Sequence, residues 1–192
     1  MIRLRREAPA HVPAREALLD ACFGPERFAK TCELLRRGAR PAPGLAFAAL
    51  EGRELVGTLR LWPIIAGSAG PALLLGPLGV ASDLRSRGIG HQLVVTALEK
   101  AARRGHRAVI LVGDAPYYAR FGFTDRLTAG LELPGPVDRA RFLGLELVPG
   151  ALAGASGMIL PRPPLRRLAR SVVLGATASP EARGTVATTV AA

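Results

Sequence analysis

The chain has 192 residues, 49% of them hydrophobic, and 26 Lys and Arg against 15 Asp and Glu give a formal charge of +11. That length suits one domain with a single substantial core, and the hydrophobic fraction excludes a chain that is disordered throughout. Arginine supplies nearly all of the charge, since Lys30 and Lys100 are the only lysines; the overall excess reads as genomic composition, and phosphate recognition is reserved for particular arginines.

In chain order, "IRLRR" alternates apolar and basic residues as a strand does, and "MIRLRREAPA" lacks the apolar segment of a signal peptide. "PAREALLDACF" and "PERFAKTCELLRR" each open with proline, a residue suited to a first helical turn, and predict two helices broken around Gly24. Cys22 and Cys32 fall on them. Two cysteines make no disulfide framework, and these lack companions at zinc-ligand spacing, so they read as free thiols in a reducing compartment. No run of about 18 apolar residues exists to span a membrane, and a cytoplasmic protein is the expected class.

"GLAFAALEGRELVGTLRLWPII" predicts two strands around a turn at Glu51-Gly52-Arg53. "PALLLGPLGVAS" is apolar almost throughout, as a central strand covered on both faces would be. From Ile89 to about Arg104 the apolar residues recur at helical spacing, with Gly105 as the stop. "RAVILVGD" predicts another buried strand, "APYYARFGF" a short helix started by Pro116, and "RLTAGLEL" and "GLELVPG" further strands. From Pro161 the composition shifts to Pro and Arg, then to Ala, Thr and Gly, which predicts a domain over 1–160 followed by a poorly packed tail over 161–192. The mixture of elements specifies an α/β or α+β fold with helices on a mixed sheet.

One junction departs from ordinary helix-start chemistry. In "SDLRSRGIGHQLV" two arginines and two glycines stand where a cap and an acid are usual. The first turn of a helix leaves backbone N–H groups without partners, and the helix dipole adds positive potential there. Gly88 and Gly90 lack the Cβ that would hold a ligand off those amides, and Arg85 and Arg87 add charge-assisted donors. The ligand this pattern suits is a pyrophosphate.

These residues carry a family resemblance. "LGPLGVASDLRSRGIGHQLV" followed by "RAVILVGDAPYYARFGF" resembles the GNAT superfamily of N-acetyltransferases, and specifically its YhbS-like bacterial subgroup. The resemblance implies a mostly antiparallel mixed sheet flanked by helices, with two central strands splayed apart. It implies that Arg85, Ser86, Arg87, Gly88, Ile89 and Gly90 hold the pyrophosphate of acetyl-CoA, that the backbone of Leu78, Gly79 and Val80 pairs with the pantetheine arm, and that Tyr118 lies near the thioester sulfur as a proton donor. Tyr117 reads as packing or pocket wall, and Asp114 as the cap of the short helix. Trp62 suits either the acceptor pocket or an apolar layer.

Many relatives carry a glutamate on the strand before the phosphate loop, whereas "LLLGPLGV" has no ionisable side chain. The acceptor's proton would then go to water, Asp114, Glu51 or Glu54. The implied reaction is direct attack of a primary amine on acetyl-CoA, without a metal. Two other readings stay open: a non-catalytic acyl-CoA-binding or regulatory module, and a binder of nucleic acid or anionic surfaces through "RPPLRRLAR". A homodimer also stays open, and the acceptor has no legible motif.

Overall fold

One long strand organises the sheet. The structure, a computed structural model, describes residues 1–162, with 163–192 outside the description. The strands are β1 (Ile2–Arg6), β2 (Ala46–Glu51), β3 (Glu54–Ala66), β4 (Pro71–Val80), β5 (Ala108–Val112), β6 (Gly130–Glu132), β7 (Phe142–Glu146) and β8 (Ser156–Pro161). The α-helices are α1 (Val12–Phe23), α2 (Thr31–Arg36), α3 (Ile89–Arg103) and α4 (Ala115–Ala119). The main path is β1-β2-β3-β4-β5-β7, antiparallel throughout except between β4 and β5. Its 13-residue β3 is long enough to serve two partners on one edge: β2 pairs with Glu54–Arg60 and β8 with Ile64–Ala66.

Both faces of the sheet are covered, as its continuous apolar strands require. On one face α3 packs Ile89, Leu93, Val94, Ala97 and Ala101 against the sheet, and an ideal Cβ on Gly57 would stand 3.0 Å from Ile89 and 3.2 Å from Leu93. Omitting that side chain lets helix and sheet meet closely. On the other face Leu35 of α2 joins Trp62, Ile64, Leu74, Ile110, Phe142 and Ile159 in a second core. Helix α1 also lies on this side of β4, where Leu19 meets Gly79. Glu7, just after β1, is held by Arg15 of α1 and Arg60 of β3, which ties the first strand to the helix and to the sheet centre.

Three expectations need correction. The helix predicted over "PERFAKTCELLRR" is two pieces, a 3-10 turn over Pro25–Ala29 and α2, because Lys30 is extended at φ −69°, ψ 140°. "RLTAGLEL" forms a 3-10 turn over Asp125–Thr128 before the three-residue β6. Pro161, placed above in the tail, closes β8 opposite Ile64, and the Arg162 amide donates to the Pro63 carbonyl. The predicted tail from 163 onward lies outside the described residues.

The parallel contact of β4 with β5 is short. Only Leu73↔Val109 and Leu74↔Ile110 pair, although β4 continues to Val80 and β5 to Val112. Beyond Leu74 the strands part. At the same level the β3–β4 register shifts, with Leu59 opposite Leu78 but Leu61 opposite Leu75, so Gly76-Pro77 adds one residue to β4. A bulge bends its strand and raises its local twist, which suits β4 leaving β5 here. The indole Nε1 of Trp62 donates to the Gly76 carbonyl at 2.5 Å and fixes the bulge from the β3 side.

Candidate active site

Two adjacent cavities flank the free end of β4. The smaller, about 380 Å³, is lined by Leu78 and Val80, by Arg85, Ser86, Gly88, Ile89 and Gly90, and by Tyr117 and Arg120. The larger, about 750 Å³, lies between the ends of β4 and β5 and the segment from α1 to α2, with Tyr118 and Asp114 in its wall. Phe23, Leu78 and Tyr117 belong to both.

The loop before α3 has the backbone of an anion cradle. Ser86 (φ 73°) and Gly88 (φ 75°) are left-handed, and no other non-glycine described residue has a positive φ. Turns of mixed hand present successive N–H groups to one concavity. The first backbone bond into α3 runs from the Gln92 amide to the Gly88 carbonyl at 3.0 Å, so the amides of Ile89, Gly90 and His91 precede the helical ladder and have no backbone acceptor among the described residues. A Cβ on Gly90 would stand 2.9 Å from the Tyr117 hydroxyl. The bare glycine thus lets the tyrosine sit beside the start of the helix.

The residues singled out in the sequence do not all converge. Arg85, Ser86, Gly88 and Gly90 line the groove with Leu78 and Val80. Ile89 does so as well, but its side chain is buried in the α3 core, which leaves its amide for a ligand. Arg87 stands outside the groove lining and pairs with Glu51 at 3.2 Å. Gly79 turns its missing side chain toward Leu19 and Cys22 of α1, so only its backbone belongs to the β4 edge. Glu51 and Glu54 line neither cavity, whereas Asp114 lines the larger one.

Tyr118 is buried to 9% exposure, and its ring meets Tyr117, Phe121 and Phe123 at centroid distances of 5.0, 6.3 and 5.7 Å. Burial, followed by the neighbouring Tyr117 and Asp114, pushes its phenol well above the ordinary tyrosine range, so the hydroxyl keeps its proton at neutral pH. Burial also raises Tyr117, against a smaller opposing effect of Arg120. Asp114 caps α4 by accepting from the Tyr117 amide at 3.1 Å, as expected, while its carboxylate also lines the cavity. Trp62 packs in the second core and also lines the larger cavity. Burial raises the Cys32 thiol, which keeps it protonated and a poor nucleophile.

A family model described as "Acetyltransferase (GNAT) family" matches residues 12–123, more than half of the chain. The chain belongs to the GNAT acetyltransferase family. Among its relatives, "Uncharacterized N-acetyltransferase YhbS" of Escherichia coli K12 is 29% identical over 157 residues, covering 81% of this chain and 93% of that protein. The crystal structure of E. coli YhbS in complex with CoA matches at a TM-score of 0.71 and 26% identity, over 84% of this chain and 89% of that one. A Brucella melitensis GNAT family acetyltransferase in complex with acetyl-CoA shares the fold at a TM-score of 0.62 and 24% identity, over 84% and 96% of the two chains. The mixed, mostly antiparallel sheet with flanking helices is the GNAT fold implied by "LGPLGVASDLRSRGIGHQLV" and "APYYARFGF".

Other cavity residues carry no motif. Arg120 lies one helical turn after Tyr117 with its guanidinium 4.8 Å over that ring, and contributes a further cation to the smaller cavity. Arg36, Arg60 and Arg141 reach the larger cavity from α2, β3 and the turn before β7. Only Arg120 had a local signal, its i, i+3 spacing from Tyr117.

Proposed function

We propose that the chain binds acetyl-CoA with its pyrophosphate at the Arg85–Gly90 loop and transfers the acetyl group to a primary amine held in the larger cavity. The observation that carries this reading is that the two cavities share Phe23, Leu78 and Tyr117 in their walls, which sets a helix start with free backbone amides beside a strand opening walled by Tyr118. The CoA and acetyl-CoA complexes of the two relatives support the same ligand. Arg85, the first amides of α3 and the left-handed Gly88 would receive the phosphates. The parted edge of β4 over Leu78, Gly79 and Val80 offers backbone groups for the pantetheine amides, as a strand offers them to an added strand.

The chemistry follows from where the side chains stand. The amine nitrogen attacks the thioester carbonyl carbon, the C–S bond breaks, and the departing thiolate takes the Tyr118 proton. The nitrogen gives its proton to water or to Asp114, a carboxylate of the same cavity wall whose charge acts on Tyr118. Holding both reactants in one opening removes much of the entropic barrier to a bimolecular reaction.

The test is thiol release from acetyl-CoA across a panel of primary amines, run beside calorimetry of acetyl-CoA binding. Amine-dependent release is expected. Tight binding without such release would favour the acyl-CoA-binding module instead.

A further inference from the structure

The larger cavity contains a guanidinium whose charge is only partly answered. Three nearly buried arginines line it. Arg27 is held between Glu16 and Asp20, and Arg60 is held by Glu7. Arg36 is the least exposed of the three, at 11% of its side chain, and is the least well matched. Its Nε donates to the Cys32 carbonyl at 3.0 Å and lies 3.5 Å from Glu33. Its two terminal nitrogens make no hydrogen bond among the described residues, although a guanidinium is built to offer them as a planar fork.

The surroundings favour an anion at that fork. Lys30 also lines the cavity and has no carboxylate within ion-pair distance among the described residues. Of the carboxylates there, Glu16 is taken by Arg15 and Arg27, and Asp138 accepts from the Ala140 amide. Apolar wall from Phe23, Trp62, Leu75 and Val137 limits water and strengthens any charge pairing formed between them. Asp114 stands beside Tyr118, while Arg36 lies among Cys32, Glu33 and Arg27 on the α2 side.

We propose that the acceptor is an amine carrying a carboxylate or phosphate at its other end, and that the terminal nitrogens of Arg36 receive that anion. The orientation, amine toward Tyr118 and anion toward α2, rests on the acetyl-transfer reading, whereas the anion site does not.

Binding and turnover test the two parts separately. Hexanoate, hexyl phosphate and hexanol are titrated into the full chain saturated with CoA. One of the two anions binds about tenfold or more tighter than hexanol, as a charge-assisted fork requires, and the tighter one identifies the acceptor's anion. Arg36→Gln loses that preference, Arg36→Lys keeps part of it, and both bind CoA as the parent does. Equal binding of anions and alcohol, or a preference that survives in Arg36→Gln, overturns the proposal. With acetyl-CoA, 6-aminohexanoate shows a lower KM than hexylamine, and Arg36→Gln narrows the gap. Arg36-dependent hexanoate binding with no turnover of either amine would uphold the anion site and count against acetyl transfer.

Discussion

The ring of Tyr118 fills the space where a side chain on Gly113 would begin: an ideal Cβ there would stand 2.3 Å from Cε2 and 2.8 Å from Cδ2. Gly113 is itself anchored to Arg141, whose carbonyl accepts its amide at 2.9 Å and whose Nε donates to its carbonyl at 3.3 Å. The end of β5 thereby sets the position of the phenol. Gly113→Ala should push the ring aside, costing about 1–3 kcal/mol of stability, as overpacking typically does. A displacement near 1 Å would lower turnover on the order of 10²-fold. Thermal melts and kcat measure the two effects. In a Tyr118→Ala background the added methyl finds room, so its stability cost should largely vanish.

Tyr118→Phe keeps the ring and removes the proton. Turnover should fall about 10²–10⁴-fold, the usual cost of losing a general acid, while acetyl-CoA affinity in calorimetry stays near that of the parent. Tyr117→Phe should do much less. The pH dependence has a defined sign. Because burial raises Tyr118 above the free tyrosine value of about 10, no alkaline fall in kcat from this group should appear below that pH. Its contribution to stability is fully present below about pH 10 and is lost as pH climbs toward the folded value, since the unfolded chain ionises first. A kcat limb falling between pH 7 and 9 and absent from Tyr118→Phe would contradict the burial effect.

The two loop arginines should not be equivalent. Arg87 pairs with Glu51 outside the groove, whereas Arg85 lines the groove and has no carboxylate partner among the described residues. Arg85→Gln should weaken acetyl-CoA binding about 10-fold or more, as expected for a charge-assisted contact to phosphate. Arg87→Gln should change it only slightly. Equal losses in calorimetry would return Arg87 to the site.

The glycine- and arginine-rich loop before α3 and the run of elements from β4 to α4 were legible because their signals are local. An apolar strand, paired glycines, a 3.6-residue period and Pro116 each mark a short stretch of chain. Asp114 is likewise a cap by its position alone. Strand β8 escaped because "SGMILP" leaves Met158 and Leu160 exposed and its partner on β3 lies far away in sequence. The break at Lys30 escaped because apolar spacing continues through it even though the backbone does not. Arg36, Arg60 and Arg141 reach one cavity from separate elements, a convergence that no spacing could reveal.

Strand β8 also sets where the chain can be shortened. Ile159 is fully buried in the second core, and Ile159, Leu160 and Pro161 pair with β3. Ending the chain after Arg162 should leave a folded protein with unchanged acetyl-CoA affinity, because every proposed site residue lies upstream. Ending it at Ala155 removes a core side chain and uncovers the edge of β3, and should lower the melting temperature sharply. If loss of 163–192 alone prevented folding, those residues would prove necessary to the domain.

Gly88 offers the most direct test of the phosphate loop. It takes a left-handed φ of 75° at the start of α3, and a Cβ there would meet nothing within 4 Å. A substitution therefore pays for backbone conformation rather than for a clash, roughly 1–2 kcal/mol for an ordinary side chain in this region. Asparagine tolerates the left-handed region better than most residues, so Gly88→Asn should fold and retain much of its acetyl-CoA affinity. Gly88→Glu adds a carboxylate at the mouth of the groove, beside the free amides of Ile89, Gly90 and His91. That carboxylate can occupy those donors itself and repels an incoming pyrophosphate. Acetyl-CoA binding should become undetectable by calorimetry in Gly88→Glu, and raising the salt should restore only part of it, since close charges are incompletely screened. A folded Gly88→Glu variant with parental affinity would move the phosphate site away from this loop.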